Sequence, residues 1–197
     1  MDKLTKAFKE KRKTEILFLA ADVGHYIGDS HMPLNTSANH DGQLTNQKGI
    51  YAFWKSHLPE MFGDSYNFYI GEAVYINEIL KETWRMINAS HLLVDALLLA
   101  DKELKKKFSA DTIYSKDASG NVVINKFNGS FHSAEYANQY NQKLKGMVEH
   151  QMRLAILTTA NFWYTAWVNE GKPDLSDLNP ASQTKRKGKT LYGTQII

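Results

Sequence analysis

Apolar residues recur at helical spacing over three long stretches of this chain, and that periodicity constrains the fold more than any other feature. From Lys3 to Asp29, the residues Leu4, Phe8, Ile16, Leu19, Val23 and Ile27 trace the stripe of one amphipathic helix, which Pro33 should stop. From about Glu72 to Lys107 a second pattern sets Trp84, Ile87, Val94, Leu97, Leu98 and Leu104 on a buried side, with a break expected at Asn77 or Ile79. A third runs from about Ser133 to Glu170 through Ala137, Tyr140, Leu144, Met147, Val148, Leu154, Phe162 and Ala166, and Gly171 and Pro173 close it. These stretches predict an all-α, multi-helical domain over residues 1–174, followed by a polar, basic and mobile tail over 175–197.

The connecting segments are polar or aromatic. Met32 to Gly49 is rich in Asn, Asp, Gly, Ser and Thr and reads as a loop that crosses the surface or lines a site. A short helix is expected from Ile50 to His57, ended by Pro59, and the aromatics Phe62, Tyr66, Phe68 and Tyr69 after it read as core. Ser109 to Ser130 surrounds the run Val122, Val123, Ile124 with turn residues, which allows a small hairpin or an irregular loop.

Composition narrows the functional classes. With 43% hydrophobic and 23% charged residues and a formal charge of +3 over 197 residues, the chain is neither disordered nor a polyelectrolyte. It has no cysteine, so a disulfide scaffold and thiolate-bound zinc are excluded, and any metal must use His, Asp or Glu. The apolar runs Ile16 to Ala21 and Leu97 to Ala100 are too short to span a bilayer, so no transmembrane segment is expected. Met1 to Arg12 lacks the apolar core of a secretory signal, which makes a cytoplasmic location the expectation for the chain as written. The clusters Lys102 to Lys107 and Lys185 to Lys189 read as solvated faces or tails.

The informative constellation lies between His25 and Lys55. His25 and Asp29 stand four residues apart on a helix and project from one face, so imidazole and carboxylate can share a metal ion. The same spacing also fits a surface ion pair or a polar cluster at a helix C-terminus. His31 and His40 have no partner at a recognisable ligand spacing and read as ordinary loop histidines.

The string His25-Tyr-Ile-Gly-Asp29-Ser-His-Met-Pro-Leu34 is followed by Asn39-His-Asp-Gly-Gln-Leu-Thr-Asn-Gln-Lys-Gly-Ile-Tyr-Ala-Phe-Trp54. Together they resemble the zinc-dependent phospholipase C and single-strand-specific nuclease superfamily, its bacterial members above all. The resemblance extends from about Phe8 to Asp174, through Leu58-Pro-Glu60 and Phe162-Trp-Tyr-Thr-Ala-Trp167, and lacks the N-terminal third of the family fold. It implies a mostly helical domain with three clustered zinc ions that bind a phosphate ester and activate water for its hydrolysis.

In the family's motif a histidine is followed by an aspartate, a second histidine, and then a histidine with an acidic partner four residues on. His25 and Asp29 keep the first pair, and the resemblance implies that His25 helps hold one zinc while Asp29 bridges two. The remaining ligand positions are occupied by Asn35, Tyr51 and Lys55. An amide, a phenol and an ammonium are poor replacements, the last because it brings positive charge into a site built for a cation. The expectation is therefore an impaired hydrolase in which zinc is absent or substoichiometric and Lys55 pairs with Asp29 or another acid. Two alternatives stand beside it. One is a non-catalytic module that binds a phosphate ester, such as a nucleic-acid end or a phospholipid head group. The other is a fragment that needs a complementary N-terminal segment and self-associates through the surface that segment would cover. Family members are typically exported.

Overall fold

Asp2–Lys9 forms helix α1 and Lys13–Ser30 forms α2 in the computed structural model, which describes residues 1–124 and 129–176. The single helix expected from Lys3 to Asp29 is thus two, because Lys11 adopts left-handed backbone (φ 49°) and the chain reverses at 10–12. The reversal lets Leu4, Ala7 and Phe8 pack against Ile16 and Ala166, two apolar faces that a continuous helix would hold apart. After α2 the chain makes a 3₁₀ turn at Pro33–Thr36 and an irregular loop up to Gly49.

The next helix begins as α3 (Ile50–Ala52), widens into a π turn over Phe53–His57, and continues as α4 (Leu58–Phe62). Pro59 therefore does not end it. In the π turn the Leu58 N–H reaches back to the Phe53 carbonyl, and Pro59 falls in the first turn of α4, where its missing N–H leaves no bond unmade.

Residues 66–78 are extended rather than helical and lie along the last helix, running in its direction. Asn67 N donates to Glu149 Oε1 (2.9 Å), Val74 N to Asn161 Oδ1 (2.8 Å) and Ile76 N to Thr165 Oγ1 (2.9 Å). Side-chain acceptors on α9 thus take up backbone donors that no helix pairs over this stretch. Phe62 and Tyr66 pack against the core as expected, whereas Phe68 and Tyr69 are exposed on this strap.

Helices α5 (Ile79–His91) and α6 (Val94–Lys105) follow, and Trp84, expected inside, is exposed on α5. Past the short α7 (Ala110–Ile113), three segments close on one another. Ser115 N donates to the Phe131 carbonyl (2.8 Å), Phe131 N to Val123 (2.9 Å) and Val123 N to Ser115 (2.9 Å). The stretch expected from Ser133 to Glu170 is also two helices, α8 (Ala134–Leu144) and α9 (Met147–Asn169), split by left-handed Lys145 and Gly146. Ser133 Oγ caps α8 by accepting the Tyr136 N–H.

Helices α2 and α9 pack antiparallel along most of their lengths. Trp163 Nε1 donates to the Ala20 carbonyl (2.9 Å) at one level and Gln151 Nε2 to the His31 carbonyl (3.1 Å) at the other. The largest core gathers Leu34, Phe53, Leu58, Leu97, Leu104, Tyr140 and Val148 between the π-turn helix, α6, α8 and the start of α9. Among the described residues its one buried carboxyl is that of Asp101. Gln47 Nε2 (2.7 Å), Tyr136 OH (2.6 Å) and Lys105 Nζ (3.0 Å) all point at the Asp101 carboxylate, which is how a buried charge is tolerated. No described helix is long and apolar enough to cross a membrane. The tail expected from 175 lies outside the described residues from 177 onward.

Candidate functional site

The last two turns of α2 set His25 and Asp29 on one face, with His25 Nε2 3.2 Å from Asp29 Oδ2. The 3₁₀ turn after α2, started by Pro33, folds Asn35 back so that its Nδ2 donates to the Asp29 carbonyl (3.0 Å) and to Asp29 Oδ1 (3.2 Å). Across from them, Tyr51 and Lys55 stand four residues apart on the helix that begins with α3. Lys55 Nζ donates to Tyr51 OH (2.8 Å) and to Asp29 Oδ1 (3.3 Å). His25, Asn35 and Lys55, from three separate elements, therefore converge on the half-exposed Asp29 carboxylate, and Tyr51 joins through Lys55.

The acceptor that orients Tyr51 is Asp41, whose Oδ1 takes the N–H groups of Gly49 (3.0 Å) and Tyr51 (3.2 Å) and so pins the start of α3. Gly49, at φ 96°, makes the turn into that helix possible. The sequence reading passed over Asp41. Its signal was available, since Asp, Asn and Ser in a polar loop characteristically bind nearby backbone N–H groups.

Electrostatics in the cluster favour a charged lysine. Burial of the Lys55 stem pulls its pKa down, but the Tyr51 hydroxyl and the Asp29 carboxylate outweigh that and leave it above the ordinary lysine value. The ammonium also sits 5.2 Å from the Tyr51 ring centroid, within cation–π range. His31 is not a loop residue. It caps the C-terminus of α2, is buried with Nδ1 2.9 Å from the Ile27 carbonyl, and has its pKa lowered by burial. His40 is exposed in the loop, edge-on to the Tyr51 ring at 6.3 Å.

This donor set does not fit zinc. A zinc site needs lone pairs converging on a point, whereas here an amide N–H and an ammonium N–H converge on Asp29 Oδ1. Among the described residues no group of three or more His, Asp or Glu side chains is placed to hold a metal ion. Instead, His25, Asp29, Asn35, Tyr51 and Lys55 form a hydrogen-bonded set that carries its own positive charge.

A second cluster escaped the sequence reading. His132 is buried and stacks on Phe53, ring centroids 3.7 Å apart, and burial lowers its pKa to about 3 against the opposing field of Asp101. It lines a cavity of about 550 Å³ with His40, Lys48, Tyr51 and Tyr114, on the core side of the Asp29 cluster. Its sequence context, a lone histidine in Phe-His-Ser, offered no signal beyond the apolar neighbour.

Comparison of the chain with protein-family models, with curated proteins and with solved structures returns no match.

Proposed function

We propose that this chain is a catalytically silent relative of the zinc-dependent phosphoric-ester hydrolases of the phospholipase C and single-strand nuclease kind, in which a tethered ammonium has taken the place of a metal. One observation supports the reading: positions 25, 29, 35, 51 and 55, which the family's motif reserves for ligands, meet around a single carboxylate. Helix spacing pairs 25 with 29 and 51 with 55, and Tyr51 packs on the core; the meeting of the two pairs with Asn35 at one carboxylate is what the motif adds.

Hydrolysis in such a family depends on a Lewis acid that offsets phosphoryl charge and lowers the pKa of bound water. Lys55 supplies a positive charge but no open coordination position, and it spends its hydrogens on Tyr51 and Asp29. Charge neutralisation is retained while water activation is lost.

The test is elemental analysis of protein dialysed against micromolar zinc, with hydrolysis of bis(p-nitrophenyl) phosphate followed on the same sample. The reading expects less than one zinc per chain and no turnover. Two or three zinc ions per chain together with turnover would overturn it. Saturable binding of phosphocholine or a short oligonucleotide without cleavage would add a ligand-holding role to the silent fold.

A further inference from the structure

A groove of about 1050 Å³ is bounded by α1, α2, α5 and α9, and Asp29 is not among its lining residues. Its floor is apolar, formed by Ile27, Met86 and Phe162 with Val23 and Ile79 against them. Its wall on α5 rises into an apolar ridge made by Leu80, which lines the groove, and Trp84, which lies outside the lining. Leu80 and Trp84, one turn apart on α5, are 71% and 58% exposed, and Tyr26 on the groove's edge is 63% exposed. Contiguous apolar exposure of this kind marks an interaction surface.

The charges on the rim say what the surface fits. Lys6, Lys9, Asp2, Glu10 and Glu170 all border the groove. Glu10 is engaged by Arg12 at 2.7 Å and by Lys6 at 3.8 Å, whereas Asp2, Lys9 and Glu170 have no ion-pair partner among the described residues. Lys81 and Arg85, which flank the ridge, pair only within their own exposed helix turn, with Glu78 and Glu82. An anionic bilayer would meet three carboxylates on this rim, which opposes docking. A surface carrying unpaired groups of both signs is complementary to a copy of itself.

We propose that this face is a homodimer interface in which the Leu80 and Trp84 ridge of each copy enters the groove of the other. Ridge and groove lie side by side on one helix, which is the arrangement an isologous two-fold contact requires: one patch provides both halves, and the assembly closes at two. In such a contact the Asp2 and Glu170 carboxylates of one copy are offered the unpaired Lys9 ammonium of the other. The inference does not depend on the Asp29 cluster and stands or falls separately from the proposed function.

The experiment is sedimentation velocity with light scattering on the full chain, from micromolar to high-micromolar concentration. The expected species has twice the 22.4 kDa mass of the chain. Leu80→Glu and Trp84→Ala should each weaken the dimer by at least about tenfold. Leu92→Glu, at an equally exposed residue outside the groove, should leave it intact. Because all three side chains project into solvent, circular dichroism should show them folded. A monomer at every concentration overturns the proposal, as does a dimer indifferent to Leu80→Glu and Trp84→Ala. A monomer that binds phospholipid vesicles, or takes up a fatty acid, makes the groove a lipid or small-ligand site and equally overturns it.

Discussion

The buried imidazole of His132 makes acid stability a quantitative test of the packing described here. The side chain is 6% exposed, its ring lies between Phe53 and the rings of Tyr114 and Tyr136, and its Nδ1 has no hydrogen-bond partner among the described residues. Burial holds its pKa at about 3 in the folded chain, against 6.5 when free. As pH falls below 6.5 the unfolded chain takes up a proton that the native protein refuses, so stability is full above 6.5, declines below it, and is lost by about pH 3. At ~1.4 kcal/mol per pH unit, the drop from 6.5 to 4 costs about 3 kcal/mol. That is a large part of the ~5–15 kcal/mol by which a domain is typically stable.

The perturbation is His132→Phe, which keeps an aromatic ring in the stack and gives up nitrogens without removing any hydrogen bond seen in the structure. Urea unfolding, followed by tryptophan fluorescence at pH 7 and pH 4, reads the result. At pH 7 the variant should lie within ~1 kcal/mol of wild type, as near-isosteric core exchanges do. At pH 4 it should be the more stable of the two by about 3 kcal/mol. His31 and His57 also have lowered pKa values, both through burial; His31 cancels in the difference, and His57, the smallest of the influences on His132, nearly does. Equal loss in the two proteins between pH 7 and pH 4 would refute the assignment of a buried neutral imidazole.

Other outcomes follow from the same contacts. Lys55→Ala breaks a pair that is about 43% and 35% exposed, so it should cost only ~0.5–1 kcal/mol and lower Tm by about 2–3 °C, less in 1 M salt. Because the folded pKa of Lys55 is raised, its contribution should be complete below about pH 10.5 and disappear as pH climbs through the raised value; a calorimetric pH series checks both points. Asp101→Ala removes the shared acceptor of Gln47, Tyr136 and Lys105 in the core and should cost about 3–5 kcal/mol by chemical denaturation. A loss below ~1 kcal/mol would mean that these partners re-pair. The triple variant Asn35→His, Tyr51→His, Lys55→Glu should gain one tightly held zinc by isothermal titration, and its failure to bind would deny the equivalence of those positions with the family's ligands. Gly42→Ala would set a Cβ 2.5 Å from the Gln47 carbonyl at φ +70° and should cost more than ~1 kcal/mol on thermal melting.

Helical content was legible from the stripes, yet their ends were not, and the reason is visible at Lys11 and Lys145. Both take left-handed backbone, which non-glycine residues adopt only when tertiary packing over-determines them, so no local signal marks Lys11. At the second break Gly146 did carry a signal, but Leu144, Met147 and Val148 continue the stripe across it. Trp84 misled for another reason: an apolar residue at core spacing need not face a core when a groove lies beside its helix. Asp101, by contrast, could have been read. It occupies the buried register of Val94, Leu97, Leu98 and Leu104, where a carboxylate demands partners. Those partners, Gln47 and Tyr136, lie 54 and 35 residues away, which no periodicity reveals. The Asp29 cluster was legible as a set of positions through its motif, while the direction of each hydrogen bond was not.

Val122, Val123 and Ile124 are the kind of short β-branched run that recruits strands from other molecules when its backbone is left open, and Val122 and Ile124 are exposed. Ser115, Val123 and Phe131 answer that hazard by each giving an N–H to one neighbour and a carbonyl to the other. A circuit of three has no first and last member, so at these residues there is no row of unpaired amides for an incoming chain to extend. The backbone bonds from Asp117 N to the Asn121 carbonyl and from Ser133 N to the Ile113 carbonyl brace the circuit from either side. Loosening it would reopen those three amides to an incoming chain while every helix stayed intact.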